Sequence, residues 1–135
     1  MIDREEFEGV VRDLVPSAGQ GIEVLSIGDG AARLKLPYRP DMMRPGGTIS
    51  GPAQFGLADV TLYGCVLSRL GRVDLAVTTS MTINFLRRPA PAALVAEGRL
   101  LKLGKRLAYG EVLLFSEGGE EPVAHATGSY SIPPA

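Results

Sequence analysis

The chain has 135 residues, 45% of them hydrophobic and 21% charged, with 17 glycines and 10 prolines, the size and make-up of one globular domain. Lys plus Arg number 14 and Asp plus Glu 15, so no basic excess exists to neutralise a phosphate backbone, and nucleic-acid binding is not expected. A single cysteine, Cys65, excludes an internal disulfide framework and a cysteine-based zinc cluster; the acidic start MIDREEFEGVV has no signal-like apolar core, and no run of 18 apolar residues suggests a membrane span, so a cytoplasmic protein is expected.

Residues 3–15 read as an amphipathic helix: Phe7, Val10, Val11 and Leu14 recur at helical spacing, Asp3 caps, and Glu5 and Glu6 suit the positive end of the dipole. Pro16, Ser17 and Gly19 end it. Residues 21–27 and 31–37 read as strands joined by the turn Gly28-Asp29-Gly30. In the second of them Ala32, Leu34 and Leu36 face inward, and Arg33 and Lys35 outward. Residues 38–49, with two prolines and two glycines, read as a loop without regular structure.

Residues 52–70 read as a long central helix, capped at Ser50 or Gly51, opened by Pro52 and closed by Gly71. It is apolar nearly all round, so burial is expected. Four strands follow, over residues 75–86, 93–103, 106–116 and 122–132. Alternation places Val77, Met81, Ile83 and Phe85 on one face of the first, and Thr78, Ser80, Thr82 and Asn84 on the other. In the last, Ala124, Ala126, Gly128, Tyr130 and Ile132 share a face small enough for a helix to approach. Short turns suggest an antiparallel meander. The fold class is therefore α+β, one helix laid across an antiparallel sheet of about five to six strands. The division expected is a single domain over 1–135, with residues 1–16 the N-terminal helix and 17–135 the core. Open sheet edges suggest an oligomer.

Between Pro45 and Ser68 lie 24 residues with one charged group, Asp59. Phe55 and Tyr63 are its i−4 and i+4 neighbours. An apolar helix holds a carboxylate at a desolvation cost of several kcal/mol unless it is partnered. Such a group is either hydrogen-bonded structurally to a neighbouring strand or subunit, or functional. The glycine-rich entry Arg44-Pro45-Gly46-Gly47-Thr48-Ile49-Ser50-Gly51-Pro52 offers free N–H groups and the positive dipole end to an oxyanion; equally, it shapes a tight loop. Gly51 and Asp59 are eight residues apart, about 12 Å along one helix at about 1.5 Å per residue. A pair formed across a two-fold interface is more natural than one within a chain.

Residues 50–59, Ser-Gly-Pro-Ala-Gln-Phe-Gly-Leu-Ala-Asp, resemble the helix signature of hotdog-fold acyl-CoA thioesterases of the PaaI (phenylacetyl-CoA thioesterase) type. Residues 77–90 are similar to that family's threonine-rich strand and Phe-Leu-Arg-Pro segment. Leu103-Gly104-Lys105-Arg106 is similar to its Gly-Lys/Arg turn, and Val123–Gly128 to its last strand. The resemblance covers residues 20–133. It implies a hotdog fold, and a small or medium acyl- or aryl-CoA thioester as substrate with no metal or other cofactor. It also implies a homodimer or homotetramer and no membrane partner. By the same resemblance Asp59 is general base or nucleophile, and Gly51 of a second subunit supplies the N–H for the carbonyl oxygen. Thr78, or Thr79 one residue on, is the hydroxyl that positions water or carboxylate.

Ser50 stands where the family has His, Pro52 replaces the second glycine of the triplet, and Arg44 lies near the place of an Asn. Pro52 removes one N–H and leaves that of Gly51. Ser50 retains a hydroxyl able to donate. Phe55, Leu62, Tyr63, Met42 and Met43 are the expected acyl wall. Arg87, Arg88, Lys102, Lys105 and Arg106 are candidates for the phosphates of coenzyme A, clustered at strand ends. His125, the one histidine, falls on the outward face of its strand, and Cys65 reads as a small buried hydrophobe. The alternative function is a non-catalytic acyl-CoA binding protein on the same fold. A hotdog-fold hydratase or dehydratase uses an acid–base pair that commonly includes a histidine near the helix, and His125, far along the chain on a polar face, ranks that reading below the other two.

Overall fold

The computed structural model describes residues 2–14, 21–39, 43–44, 48–71 and 76–134. Residues 15–20, which contain the expected end of the first helix, lie outside these, as do Met42 and residues 45–47. The first element, α1, is Arg4–Leu14. Its start is closed reciprocally: Glu6 N–H donates to Asp3 Oδ1 at 2.8 Å, and Asp3 N–H to Glu6 Oε1 at 3.4 Å. Phe7, Val10 and Val11 are buried beneath it.

Strands β1 (Glu23–Gly28) and β2 (Ala31–Leu36) form the expected hairpin. Asp29 and Gly30 both take positive φ, 53° and 79°, the pair that matches the twist of a two-residue turn. Two short strands, β3 (Met43–Arg44) and β4 (Thr48–Ile49), pair antiparallel within the segment expected to be unstructured. The four paired residues are not proline, and Pro40 and Pro45 fall outside them, so no ladder N–H is missing.

The long helix α2 is Gly51–Leu70. Ser50 is its N-cap, with Oγ accepting from Ala53 N at 3.2 Å. Gly71 closes it by donating to Leu67 O at 2.8 Å. The C-terminal half is buried all round, Val60 through Ser68. The N-terminal half departs from the expected all-round burial. Pro52 and Phe55 are exposed and Gly56 and Asp59 half-buried, at i, i+3, i+4 and i+7 along one stripe.

Strands β5 (Val77–Phe85), β6 (Leu94–Leu103), β7 (Leu107–Ser116) and β8 (Ala124–Ser131) complete a six-stranded antiparallel sheet in the order β1-β2-β6-β7-β8-β5. A long helix on such a sheet is the hotdog arrangement. The expected meander holds for β6, β7 and β8 and fails for β5, which pairs with β8 at the far edge. The connection is long enough to cross two strand ends. Leu86 N and Arg87 N reach Val123 O at 2.8 and 3.3 Å beyond β8, and Ala90 N reaches Ser116 Oγ at 3.0 Å beyond β7.

Glycines on neighbouring strands let α2 settle onto the sheet. A Cβ at Gly110 would lie 2.5 Å from Leu62 Cδ1 and 2.7 Å from the Arg99 carbonyl oxygen. One at Gly98 would lie 2.9 Å from Thr61 and 3.0 Å from Cys65 Sγ. Glycine is needed at both positions for close approach, because real Cβ atoms do not pack at such distances. The core lies between helix and sheet, built from Leu34, Leu57, Leu62, Leu67, Leu94, Val112 and Leu114 with their neighbours. Among the described residues no helix is long and apolar enough to cross a membrane.

Candidate active site

Asp59 lies on the open stripe of α2, beside the C-terminal half of β8 and the start of β5. Its Oδ1 accepts two hydrogen bonds, from Thr78 Oγ1 at 2.7 Å and from the Tyr130 hydroxyl at 2.6 Å. The same hydroxyl lies 2.9 Å from the Asp59 backbone carbonyl oxygen. Oδ2 accepts nothing from a described residue. One carboxylate oxygen is therefore held and the other left to act, an arrangement suited to abstracting a proton from water or attacking a carbonyl.

Thr78 reaches Asp59 through an irregularity of β5. The register with β8 runs Thr78↔Tyr130, then Ser80↔Ser129 and Met81↔Gly128, which leaves Thr79 as an extra residue. Strict alternation separates Thr78 from Met81; the bulge turns both toward the helix. Thr79 bonds elsewhere, with Oγ1 3.2 Å from Ser129 O and from Ser129 Oγ. Of the two threonines, only Thr78 touches the carboxylate.

Sequence reasoning assigns Tyr130 to the helix-facing side of its strand and to no chemistry. The alternation that places it inward is the available signal, because a buried tyrosine hydroxyl needs a partner and the nearby polar group of α2 is Asp59. Burial, followed by the Asp59 charge, pushes its phenol far above the ordinary range. It is therefore a donor at any working pH. Tyr63, expected on the acyl wall, is buried instead. Its ring stacks on Tyr130 with centroids 5.9 Å apart and meets Phe7 of α1 at 6.1 Å. The close seat of α1 that allows this depends on Gly64, where a Cβ would lie 2.9 Å from the Phe7 ring. Leu62 is likewise fully buried in the core.

Gly51 is the first residue of α2, so its N–H has no partner four residues back. The Phe85 ring stands over it, 3.3 Å from where a Cβ would be. Phe55 and Phe85 are both exposed, at 38% and 53%, and form an apolar border on the side of the helix entry. Ser50 uses its oxygen as the helix cap. The side chains of Arg44 and Met43 lie outside the described residues.

The basic candidates do not form one cluster within the chain. Arg87 follows β5 near Val123, while Arg106 accepts from Ile132 N through its carbonyl. Nine residues of β8 and its ends separate these partners, on the order of 30 Å at about 3.3 Å per residue. Arg87 is engaged by Glu121 at 3.6 Å and by the Pro122 carbonyl. Arg88, Lys102, Lys105 and Arg106 are exposed. The difference arises because β6–β7 and β5–β6 are joined at opposite ends of the sheet, a fact invisible to residue counting.

His125 faces away from Asp59, across the sheet. Its Nε2 lies 3.0 Å from Glu111 Oε1, and Arg99 Nη2 lies 2.7 Å from Glu111 Oε2. These two neighbours, His125 first, hold the Glu111 carboxyl below its usual range. Cys65 is fully buried, and burial pushes its thiol up to about 12, which removes it as a nucleophile.

Comparison with known proteins places this geometry in context. The thioesterase superfamily model matches residues 46–123. A protein of Silicibacter sp. TM1040, described as a candidate thioesterase, is 42% identical. Its structure superposes with a TM-score of 0.89, covering 99% of this chain and 94% of that one. A phenylacetic acid degradation protein PaaI of Thermus thermophilus is 25% identical with a TM-score of 0.75, covering 93% and 99%. A candidate esterase of Thermoplasma acidophilum is 26% identical over 110 residues, 82% of each chain.

Proposed function

Since this chain belongs to the thioesterase superfamily, and is PaaI-like in its relatives and fold, we propose that it is an acyl-CoA thioesterase acting on small or medium acyl- or aryl-CoA. The observation that carries this is the Asp59 carboxylate, with Oδ1 held by Thr78 and Tyr130 and Oδ2 accepting nothing from a described residue. Oδ2 takes a proton from water as the water oxygen bonds to the thioester carbon, or attacks that carbon itself. The carbonyl oxygen becomes an oxyanion, and the C–S bond breaks to release coenzyme A thiolate, which leaves the free acid in the first route and, in the second, an acyl–Asp59 anhydride that a water then hydrolyses to the acid and the carboxylate. A thiolate is a good leaving group and needs little acid assistance, so the distance of His125 from the site is no obstacle. Coenzyme A enters as part of the substrate, and neither a metal nor another cofactor is required.

The oxyanion is stabilised by the Gly51 N–H and the dipole of α2. Along one helix Gly51 is too far from Asp59 to share a carbonyl with it. The pair therefore comes from two protomers. Two features of β5 support it as the dimer edge: it carries no charged residue over its nine positions, and it is exposed along most of its length. The opposite edge, β1, is shorter and carries Glu23. Long uncharged edges invite pairing, whereas short strands and charges discourage it. A tetramer formed from two such dimers fits equally well. Arg88 at one end of the sheet and Lys105 and Arg106 at the other are competing contacts for the coenzyme A phosphates.

One observation favours a second reading, acyl-CoA binding without turnover: Ser50, at the family's His position, spends its oxygen on capping α2. Thiol release from short, medium, long and aryl acyl-CoA, by the wild type and Asp59→Asn, separates the two. Turnover that collapses at least about 100-fold in the variant supports the thioesterase, as expected for loss of a general base. Equal rates in both would overturn Asp59 chemistry. Stoichiometric binding with no turnover favours the binder.

A further inference from the structure

We infer that Tyr130 is a positioning residue for thioester hydrolysis, fixing the plane of the Asp59 carboxylate so that one oxygen is held and the other is presented to the reaction. This rests on the thioesterase role of Asp59 given above. Tyr130 is 4% exposed, and its hydroxyl is engaged by Asp59. It touches both the Asp59 carboxylate, at 2.6 Å, and the Asp59 backbone carbonyl, at 2.9 Å. Its single hydrogen goes to the carboxylate, the stronger and nearer acceptor, and the place of the hydroxyl beside the carbonyl seats it against the helix turn that carries Asp59. A carboxylate otherwise turns freely about its last torsion, which is broad and two-fold. With Tyr130 and Thr78 both donating to one oxygen, turning the group out of this plane breaks two charge-assisted hydrogen bonds, so whichever oxygen is not on the donors stays in one fixed place.

The clamp is braced from behind. Tyr63 stacks on Tyr130 at an interplanar angle of 17°, and Phe7 of α1 closes on Tyr63. A column of three rings therefore runs from the N-terminal helix to the carboxylate. Phe7 lies outside the segment 46–123 that the superfamily model matches, so the outer ring of this brace comes from chain outside that segment. The phenol, kept protonated by its burial and by the neighbouring carboxylate, is a fixed donor rather than a proton carrier.

The test is Tyr130→Phe, which keeps the ring and its stack and removes the hydroxyl alone, measured beside Asp59→Asn. Expected is a fall in kcat of about 10- to 100-fold, the scale of a misplaced reacting group, with KM within about twofold. The acidic limb of kcat against pH moves to higher pH, because a donor to the ionised carboxylate is gone; lost packing alone does not move it. If Tyr130→Phe keeps the wild-type kcat and limb while Asp59→Asn is inactive, the Tyr130 role is wrong and Asp59 chemistry stands. If Asp59→Asn is as fast as the wild type, or the wild type hydrolyses no thioester, both fall. Should circular dichroism show Tyr130→Phe unfolded, 3-fluorotyrosine at position 130 replaces it. Its more acidic hydroxyl donates more strongly and moves the limb to lower pH; an unmoved limb overturns the role.

Discussion

Thr78 Oγ1 stands 2.7 Å from Asp59 Oδ1 because β5 carries one residue more than β8 between Thr78 and Ser80. The bulge sits on the edge strand, where no described strand lies outside it, and it re-aims one side chain. A specific asymmetry between adjacent threonines follows. Thr78→Val lowers kcat by about 10-fold, the scale of one hydrogen bond to a charged group. Thr79→Val, which loses only its contacts to Ser129, leaves kcat within about twofold. Steady-state thioester hydrolysis by both variants checks this, and equal losses would count against the bulged register.

The seat of α2 on the sheet predicts a stability effect with no counterpart at the site. Gly110→Ala forces a methyl against Leu62 and the Arg99 carbonyl. Overpacking of this kind costs about 1–3 kcal/mol, read as a lower denaturation midpoint at unchanged slope. A neutral substitution would mean that α2 lies farther from β7 than the structure places it.

Alkaline pH acts through Tyr130. In the unfolded chain the phenol ionises near its ordinary value of about 10, while in the folded protein burial and Asp59 hold it protonated far above that. The folded value is raised, so the stability it contributes is complete below about pH 10 and is lost as pH rises beyond, where only the unfolded state releases the proton. The melting temperature of the wild type therefore falls more steeply between about pH 9 and about pH 11 than that of Tyr130→Phe. Parallel curves would show that the phenol is not buried.

The β5 edge predicts linked losses of assembly and activity. Ser80→Lys with Thr82→Lys places like charges along an exposed strand that otherwise has none. Two copies of it then repel across a two-fold pairing. Sedimentation velocity is expected to show a monomer, with thioester hydrolysis lost as Gly51 and Asp59 are parted. A dimer that persists with full activity would direct attention to another interface.

Much of the architecture follows from local rules. Asp3 and Glu6 at the head of α1, Ser50 and Gly71 bounding α2, and Asp29-Gly30 between β1 and β2 are all settled by backbone geometry that residue type controls directly. Asp59 stands out by the same kind of logic, as the one charge in 24 residues. The errors lie where chain neighbours are not spatial neighbours. Short spacing suggests that β5 lies beside β6, yet the 86–93 connection crosses to the opposite edge. Tyr63 reads as part of an open wall because its own helix does not reveal that Phe7 covers it.

Sequence alone therefore determined the two helices and the six long strands, the helix-facing side of β8 and the singling out of Asp59, because periodicity, capping and the cost of a lone charge on an apolar helix act over a few residues; the short β3–β4 pair was not legible in it. Tertiary structure decided which donors that carboxylate has among the described residues, and that both sit on the same oxygen. It also decided which threonine reaches it, and that Arg87 and Arg106 lie far apart. Each of these depends on strand order and on a one-residue bulge. A shift of one residue reverses the face of every side chain beyond it, and the composition of the strand is unchanged by the shift.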